Sequence, residues 1–98
     1  MLNKQSEKKI EPFLVRETKK RRGLCLKMVT LHIKGLPDRL VLLPFGKLFF
    51  IETKSEGDKP RPIQVYMHNK LEALGFKVFV CDTKEKVTAF FKENYDGL

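Results

Sequence analysis

Asp38, Glu52 and Lys54 are the residues whose types and spacing could do chemistry together. Glu52 and Lys54 stand two apart at the end of the apolar run Phe49-Phe50-Ile51, so on a strand they project side by side from one face. Asp38 precedes a second apolar run, Leu40-Val41-Leu42, and Pro44-Phe45-Gly46-Lys47 between the two reads as a tight turn. Counted back from that turn as a hairpin, position 38 falls opposite about position 53. Carboxylates do not sit beside a lysine in an apolar setting without compensation, and a hard cation supplies it. Mg2+ takes oxygen ligands in near-octahedral geometry and keeps several waters. Asp38 and Glu52 each offer a carboxylate oxygen, and the backbone carbonyl of Thr53 offers a third. A metal-bound water is a better nucleophile, and Lys54 can orient it or neutralise charge growing on a phosphate oxygen. That is a workable site for phosphodiester hydrolysis. The same residues also suit an ordinary salt-bridged cluster at a strand end, and acid-x-Lys alone does not separate the two readings.

The elements that must position these residues follow from periodicity. Residues 6–21 read as a helix, with Ile10, Phe13 and Leu14 at i, i+3, i+4 and Gly23 as the stop. Pro12 leaves two starts open: near Ser6, with a kink past the first turn, or at Pro12 itself, with Glu11 as the cap. Leu24–Ile33 reads as a first strand, Gly35-Leu36-Pro37 as a break, and Asp38–Leu43 with Leu48–Lys54 as the hairpin. Ser55–Arg61 is a polar loop. Pro62 opens a second helix whose apolar stripe is Ile63, Met67, Leu71 and Leu74, closed by Gly75. Phe76–Cys81 is a fourth strand. Asp82 and Glu85 suggest a capping box for a last helix that buries Val87, Phe90, Phe91 and Tyr95. This order predicts an α/β fold, a mixed sheet with helices packed on it.

Composition narrows the function classes. The 98 residues carry a formal net charge of +8, with 33% charged and 42% hydrophobic residues, which suits one folded domain spanning 1–98 rather than a disordered tail. No apolar run reaches the ~20 residues of a membrane span, and the polar stretch Met1–Lys9 lacks the apolar core of a secretory signal, so an intracellular protein is expected. Residues 1–34 hold ten Lys/Arg and three Glu, whereas residues 35–98 hold ten Lys/Arg and nine Asp/Glu. The excess peaks at Lys19, Lys20, Arg21 and Arg22. A positive field of this kind attracts a polyanion, although cations also suit a helix C-terminus. Cys25 and Cys81 lie in apolar runs without metal-ligand spacing and read as buried, reduced thiols. His32 and His68 have no paired ligand spacing, and a surface or supporting place is the default for both.

Gly35-Leu36-Pro37-Asp38-Arg39, then Phe50-Ile51-Glu52-Thr53-Lys54, then a proline-containing loop and Gln64, resembles the PD-(D/E)xK nuclease superfamily, and more closely its virus-type replication-repair nuclease (VRR-NUC) domain. The resemblance covers about residues 7–92. It implies a restriction-endonuclease-like αβββαβ core with an extra C-terminal helix. It implies that Asp38 and Glu52 bind a divalent metal, Mg2+ with Mn2+ as a substitute, and that Lys54 acts in catalysis. It also implies a first-helix glutamate at the metal, for which Glu11 is chosen over Glu7, and a glutamine opening the second helix, matched by Gln64. The implied function is structure-specific cutting of branched or double-stranded DNA, such as four-way Holliday junctions in repair, by a homodimer in the cytoplasm or nucleoid of a bacterial or phage-infected cell. Lys27 and Arg39 join Lys19, Lys20, Arg21 and Arg22 as expected contacts to the nucleic-acid backbone. The alternatives are a basic DNA-binding module of the same fold whose acidic site is inactive, and an unrelated small interaction module with a basic tail.

Overall fold

The computed structural model describes residues 3–30 and 32–98. The first helix, α1, runs over Glu7–Lys20 from an N-cap at Ser6, so Pro12 lies inside the helix and Glu11 does not cap it. The buried stripe is Ile10, Leu14 and Thr18, with Phe13 partly buried against the core. Spacing of four residues keeps the three buried positions on one face, and Thr18 satisfies its buried hydroxyl by donating to the Leu14 carbonyl at 2.8 Å. At the C-terminus, Arg22 N–H donates to the Lys19 carbonyl and Gly23 N–H to the Thr18 carbonyl, both at 3.0 Å. This is a Schellman closure in which Arg22, at φ 63°, takes the left-handed position usually given to glycine. Gly23 serves close packing instead. A Cβ there would lie 2.5 Å from the Leu42 carbonyl oxygen and 2.7 Å from a Leu43 methyl.

Four strands follow in the order β1-β2-β3-β4: β1 (Leu24–Lys27), β2 (Arg39–Leu43), β3 (Lys47–Thr53) and β4 (Val78–Cys81). The first two pairings are antiparallel and the last is parallel, which is the expected mixed sheet. The first strand is much shorter than Leu24–Ile33. Met28 N–H still donates to the Asp38 carbonyl at 2.8 Å, and among the described residues the β1–β2 pairing goes no further. Gly35, at φ 83°, rests against the backbone of Ile63 so closely that a Cβ would collide with its carbonyl. Leu31 of the expected strand lies outside the described residues. The hairpin register also differs by one residue. Lys47 pairs with Leu43, so the loop holds three residues rather than four, and Arg39 faces Ile51. In continued register Asp38 is opposite Glu52, not Thr53.

The second helix, α2 (Pro62–Ala73), forms where expected but turns another face inward. Ile63 is 44% and Leu74 72% exposed, whereas the buried side chains are Gln64 and His68. The inward face is rotated by one residue, about 100°, because the sheet presents the buried Glu52 to the helix. The last helix, α3 (Lys84–Phe91), is capped by Thr83, whose side chain accepts from Lys86 N–H at 3.1 Å. Asp82, expected in that role, instead accepts from Gly57 N–H at 2.9 Å and pairs with Lys86. Val87, Phe90 and Phe91 are buried as expected, and Tyr95 packs partly against the core from a wider helical turn over Lys92–Asp96.

The core lies between the sheet and the pair α1 and α3. Val41, Leu43, Phe49 and Ile51 project from one sheet face into Ile10, Leu14, Val87, Phe90 and Phe91. Phe90 meets Phe49 and Phe79 with ring centroids 5.1 and 4.9 Å apart. Each fully buried side chain of this size stabilises by about 1.5–3 kcal/mol. Arg21 locks the two helices together. Its guanidinium donates to both carboxylate oxygens of Asp96 at 2.7 Å and to the Glu17 carbonyl at 2.8 Å, and it lies 4.1 Å from the Phe91 ring centre. Cys25 and Cys81 are free thiols on the two outer strands, and burial pushes the Cys81 pKa up to about 12.

Because Gly23 serves packing and Arg22 serves the turn, Gly23→Ala should destabilise the chain by about 1–3 kcal/mol. Arg22→Gly should stabilise it by up to about 1 kcal/mol by relieving the left-handed backbone. Urea denaturation midpoints of the two variants check the pair; a neutral Gly23→Ala would contradict the packing assignment.

Candidate active site

Pro37-Asp38 and Glu52-Thr53-Lys54 meet where β2 begins and β3 ends. Continued by two residues, the β2–β3 register would set Pro37 opposite Thr53. Proline has no N–H, so the ladder stops and the Thr53 carbonyl receives no donor from that strand. The Asp38 carboxylate fills the space beside it, accepting from Thr53 N–H at 2.8 Å and from the Thr53 hydroxyl. Those bonds favour the charged form of Asp38, but burial outweighs them and holds its pKa above the ordinary value.

Glu52 is the most constrained acid here, at 4% exposure. Burial first, and then the charge of Asp38, push its pKa up to about 7, against the opposing pull of Lys54. Lys54 Nζ lies 3.8 Å from Glu52 Oε2. Gln64 Nε2 donates to that same oxygen at 3.2 Å, while Gln64 Oε1 accepts from Arg61 N–H at 2.8 Å. The second bond fixes the amide, since only its oxygen can accept, and so turns the NH2 towards Glu52. The other oxygen, Glu52 Oε1, is buried without a hydrogen bond and lies 3.7 Å from His68 Nε2, which is also buried and unpaired. Burial lowers the His68 pKa, which favours the neutral imidazole over an ion pair with Glu52.

The two first-helix acids sit in different surroundings. Glu11 accepts from Arg39 Nε at 2.9 Å and is held in that ion pair. Glu7, one turn earlier, has its pKa raised by burial, then by Asp38 and Glu11, and its charge is felt in turn by Glu52. Its backbone N–H donates to Ser55 Oγ at 3.1 Å, which ties the start of α1 to the loop leaving Lys54. Of the expected nucleic-acid contacts, Lys19, Arg22 and Lys27 are exposed, and Lys20 is exposed with an ion pair to Glu17 at 2.9 Å. Arg21 and Arg39 are both engaged within the fold. His32 is exposed.

Among the described residues, no group of three or more His, Cys, Asp or Glu side chains gathers around one point for a metal ion. The donors present are the carboxylates of Asp38 and Glu52 and the Thr53 carbonyl. They are all oxygens, and one is an unpaired buried carboxylate oxygen. Such a set fits a cation that keeps several waters, as Mg2+ does.

No protein-family model matches the chain. A protein of Acyrthosiphon pisum secondary endosymbiont phage 1 described as "Putative nuclease p44" is 46% identical over 79 residues, covering 81% of this chain and 85% of that protein. A solved structure described as "VRR_NUC domain" superposes with a TM-score of 0.84 at 30% identity, covering 93% of this chain and 98% of its own. With its four-stranded mixed sheet and with these relatives matched over most of their lengths, the chain belongs to the VRR-NUC family of nucleases.

Proposed function

We propose that this chain is a divalent-metal-dependent endodeoxyribonuclease that cuts branched DNA, four-way junctions among its substrates, as a two-fold pair inside the cell. The observation that carries the reading is the buried Glu52 carboxylate, set beside Asp38 with one oxygen unpaired and Lys54 at 3.8 Å from the other. Burying one carboxylate within reach of another's charge is unfavourable unless a cation joins them. Asp38, Glu52 and the Thr53 carbonyl would hold Mg2+ or Mn2+, and Glu7 rather than Glu11 is the helix acid positioned to support it. When bound, such an ion supplies an acidified water and polarises a phosphate oxygen.

The protein's own groups do the rest. Lys54 presents an ammonium where negative charge grows on the phosphate. Gln64 keeps the Glu52 carboxylate oriented. Lys19, Lys20, Arg22 and Lys27 offer exposed cations to the phosphodiester backbone, contacts that position DNA without reading its bases. Support for pairing comes from the sheet face away from the core. Leu24, 61% exposed, and Leu26, 42% exposed, stand in register with Leu42 and Leu40 on an apolar surface. Two copies related by a two-fold axis bury the same patch on each other and present two sites to a symmetric junction.

A labelled four-way junction incubated with Mg2+ or Mn2+ tests the reading. Wild type should give metal-dependent, symmetric cuts, and Lys54→Ala should lower the rate by about 10²–10³-fold while still binding the junction. Cleavage that persists in EDTA or in Asp38→Ala would contradict the site. Replacing Lys19, Lys20 and Arg22 together by Ala should weaken binding to all DNA sequences alike. The slope of log affinity against log salt should fall by about 0.9 for each phosphate that the variant no longer neutralises.

The raised Glu52 pKa sets a pH dependence. The folded chain holds the Glu52 proton up to about pH 7, whereas an unshifted glutamate releases it near 4.5. The unfolded state therefore binds fewer protons across that window, and metal-free stability should fall as pH rises through it. Asp38 and Glu7, also raised, act in the same direction. Urea midpoints between pH 5 and pH 8 should show a downward slope that flattens in Glu52→Gln.

A further inference from the structure

We propose that His68 is a positioning residue for Glu52, with its Nε2–H directed at Oε1 while Gln64 holds Oε2, so that α2 fixes the plane of the carboxylate. The inference rests on the nuclease reading only for its functional consequence; the contact itself does not.

Three observations carry it. Gln64 and His68 are the buried side chains of α2, although both are polar. They stand four residues apart, which stacks them on one helix face. Each is aimed at a different oxygen of the same carboxylate, Gln64 at 3.2 Å and His68 at 3.7 Å.

At 3.7 Å the imidazole is beyond hydrogen-bond range, but both facing atoms are buried and neither has another partner. Buried polar atoms are paired as a rule, and a small rotation of either side chain closes the gap. A neutral imidazole can make this bond only as the Nε2–H tautomer, because a carboxylate accepts and does not donate. Each carboxylate oxygen has a second lone pair, so holding both from α2 leaves Glu52 able to ligate a cation. Of the apolar residues of α2, Ile63, Val65 and Tyr66 are exposed, and Met67 and Leu71 are half-buried beside Gln64 and His68. The helix is held over the sheet partly by its grip on Glu52. Gly35, packed against Ile63, fixes the start of the same helix.

The test combines two readouts on the full chain. Nitrogen-15 spectra of histidine-labelled, metal-free protein should show His68 as the Nε2–H tautomer, with its resonance moving in Glu52→Gln. Mn2+ binding, followed by electron paramagnetic resonance without DNA, should weaken by about 10–100-fold in His68→Ala. His68→Gln, which retains a donor, should recover most of the affinity, and His68→Phe, which retains the bulk, should not. An Nδ1–H tautomer would overturn the contact whatever the metal does. His68→Phe binding as well as His68→Gln would reduce the residue to packing and overturn the positioning role, as would unchanged affinity in His68→Ala. A wild-type chain that binds no Mn2+ yet shows the Nε2–H tautomer would overturn the metal-dependent reading and leave the contact standing.

Discussion

The structure turns on one unfavourable interaction, the burial of the Glu52 carboxylate within reach of the Asp38 charge at the rim of an apolar sheet. Glu52 is 4% exposed and its pKa is pushed up to about 7, so the fold resists ionising it up to neutral pH and carries a poorly solvated charge above that. Its surroundings limit that cost without removing it. Lys54 and Gln64 address one oxygen, His68 faces the other, and Asp38 is itself tied down by Thr53. A site arranged only for stability would replace the pair with packed apolar side chains. Retaining it under such close support is what the proposed cation site requires.

The rest of the fold positions that rim. The hydrophobic core lies wholly on the α1 and α3 side, where Phe49, Phe79, Phe90 and Phe91 interlock. This leaves the other face of the sheet to α2 and its polar grip. Pro37 ends the β2–β3 ladder at the point where Thr53 needs a donor, so one residue both stops the strand and frees a carbonyl. The N-terminal segment is fastened to the same region: Gln5 and Glu56 exchange two hydrogen bonds, and Gln5 also reaches Lys84 and Glu85. Both the first helix and the loop after Lys54 are thereby held at fixed distance from the acids.

Much of this is legible in the residues. The period of two that sets Glu52 beside Lys54, and the turn that folds Asp38 towards them, survive in the structure because strands alternate faces regardless of context. The register differs by one because Lys47 joins the ladder, which no turn count reveals. The second helix misleads for a physical reason: apolar residues at 63, 67, 71 and 74 imply a buried stripe only if the facing sheet is apolar, and here it carries Glu52. The i, i+4 spacing of Gln64 and His68 is the available signal. Arg21 and Arg39 read as free cations by type alone. Their partners, Asp96 and Glu11, are distant in sequence and become visible only once the chain is folded.

The most direct measurement is thermal denaturation at pH 8 of wild type and Glu52→Gln, each in EDTA and in Mn2+. The account predicts that Glu52→Gln melts above wild type in EDTA, because a buried charge has been removed. Mn2+ should raise the wild-type melting temperature, with a stabilisation of about 2.7 kcal/mol at one hundred times the dissociation constant, and leave the variant unmoved. A wild type indifferent to Mn2+, together with a variant less stable than wild type in EDTA, would contradict it.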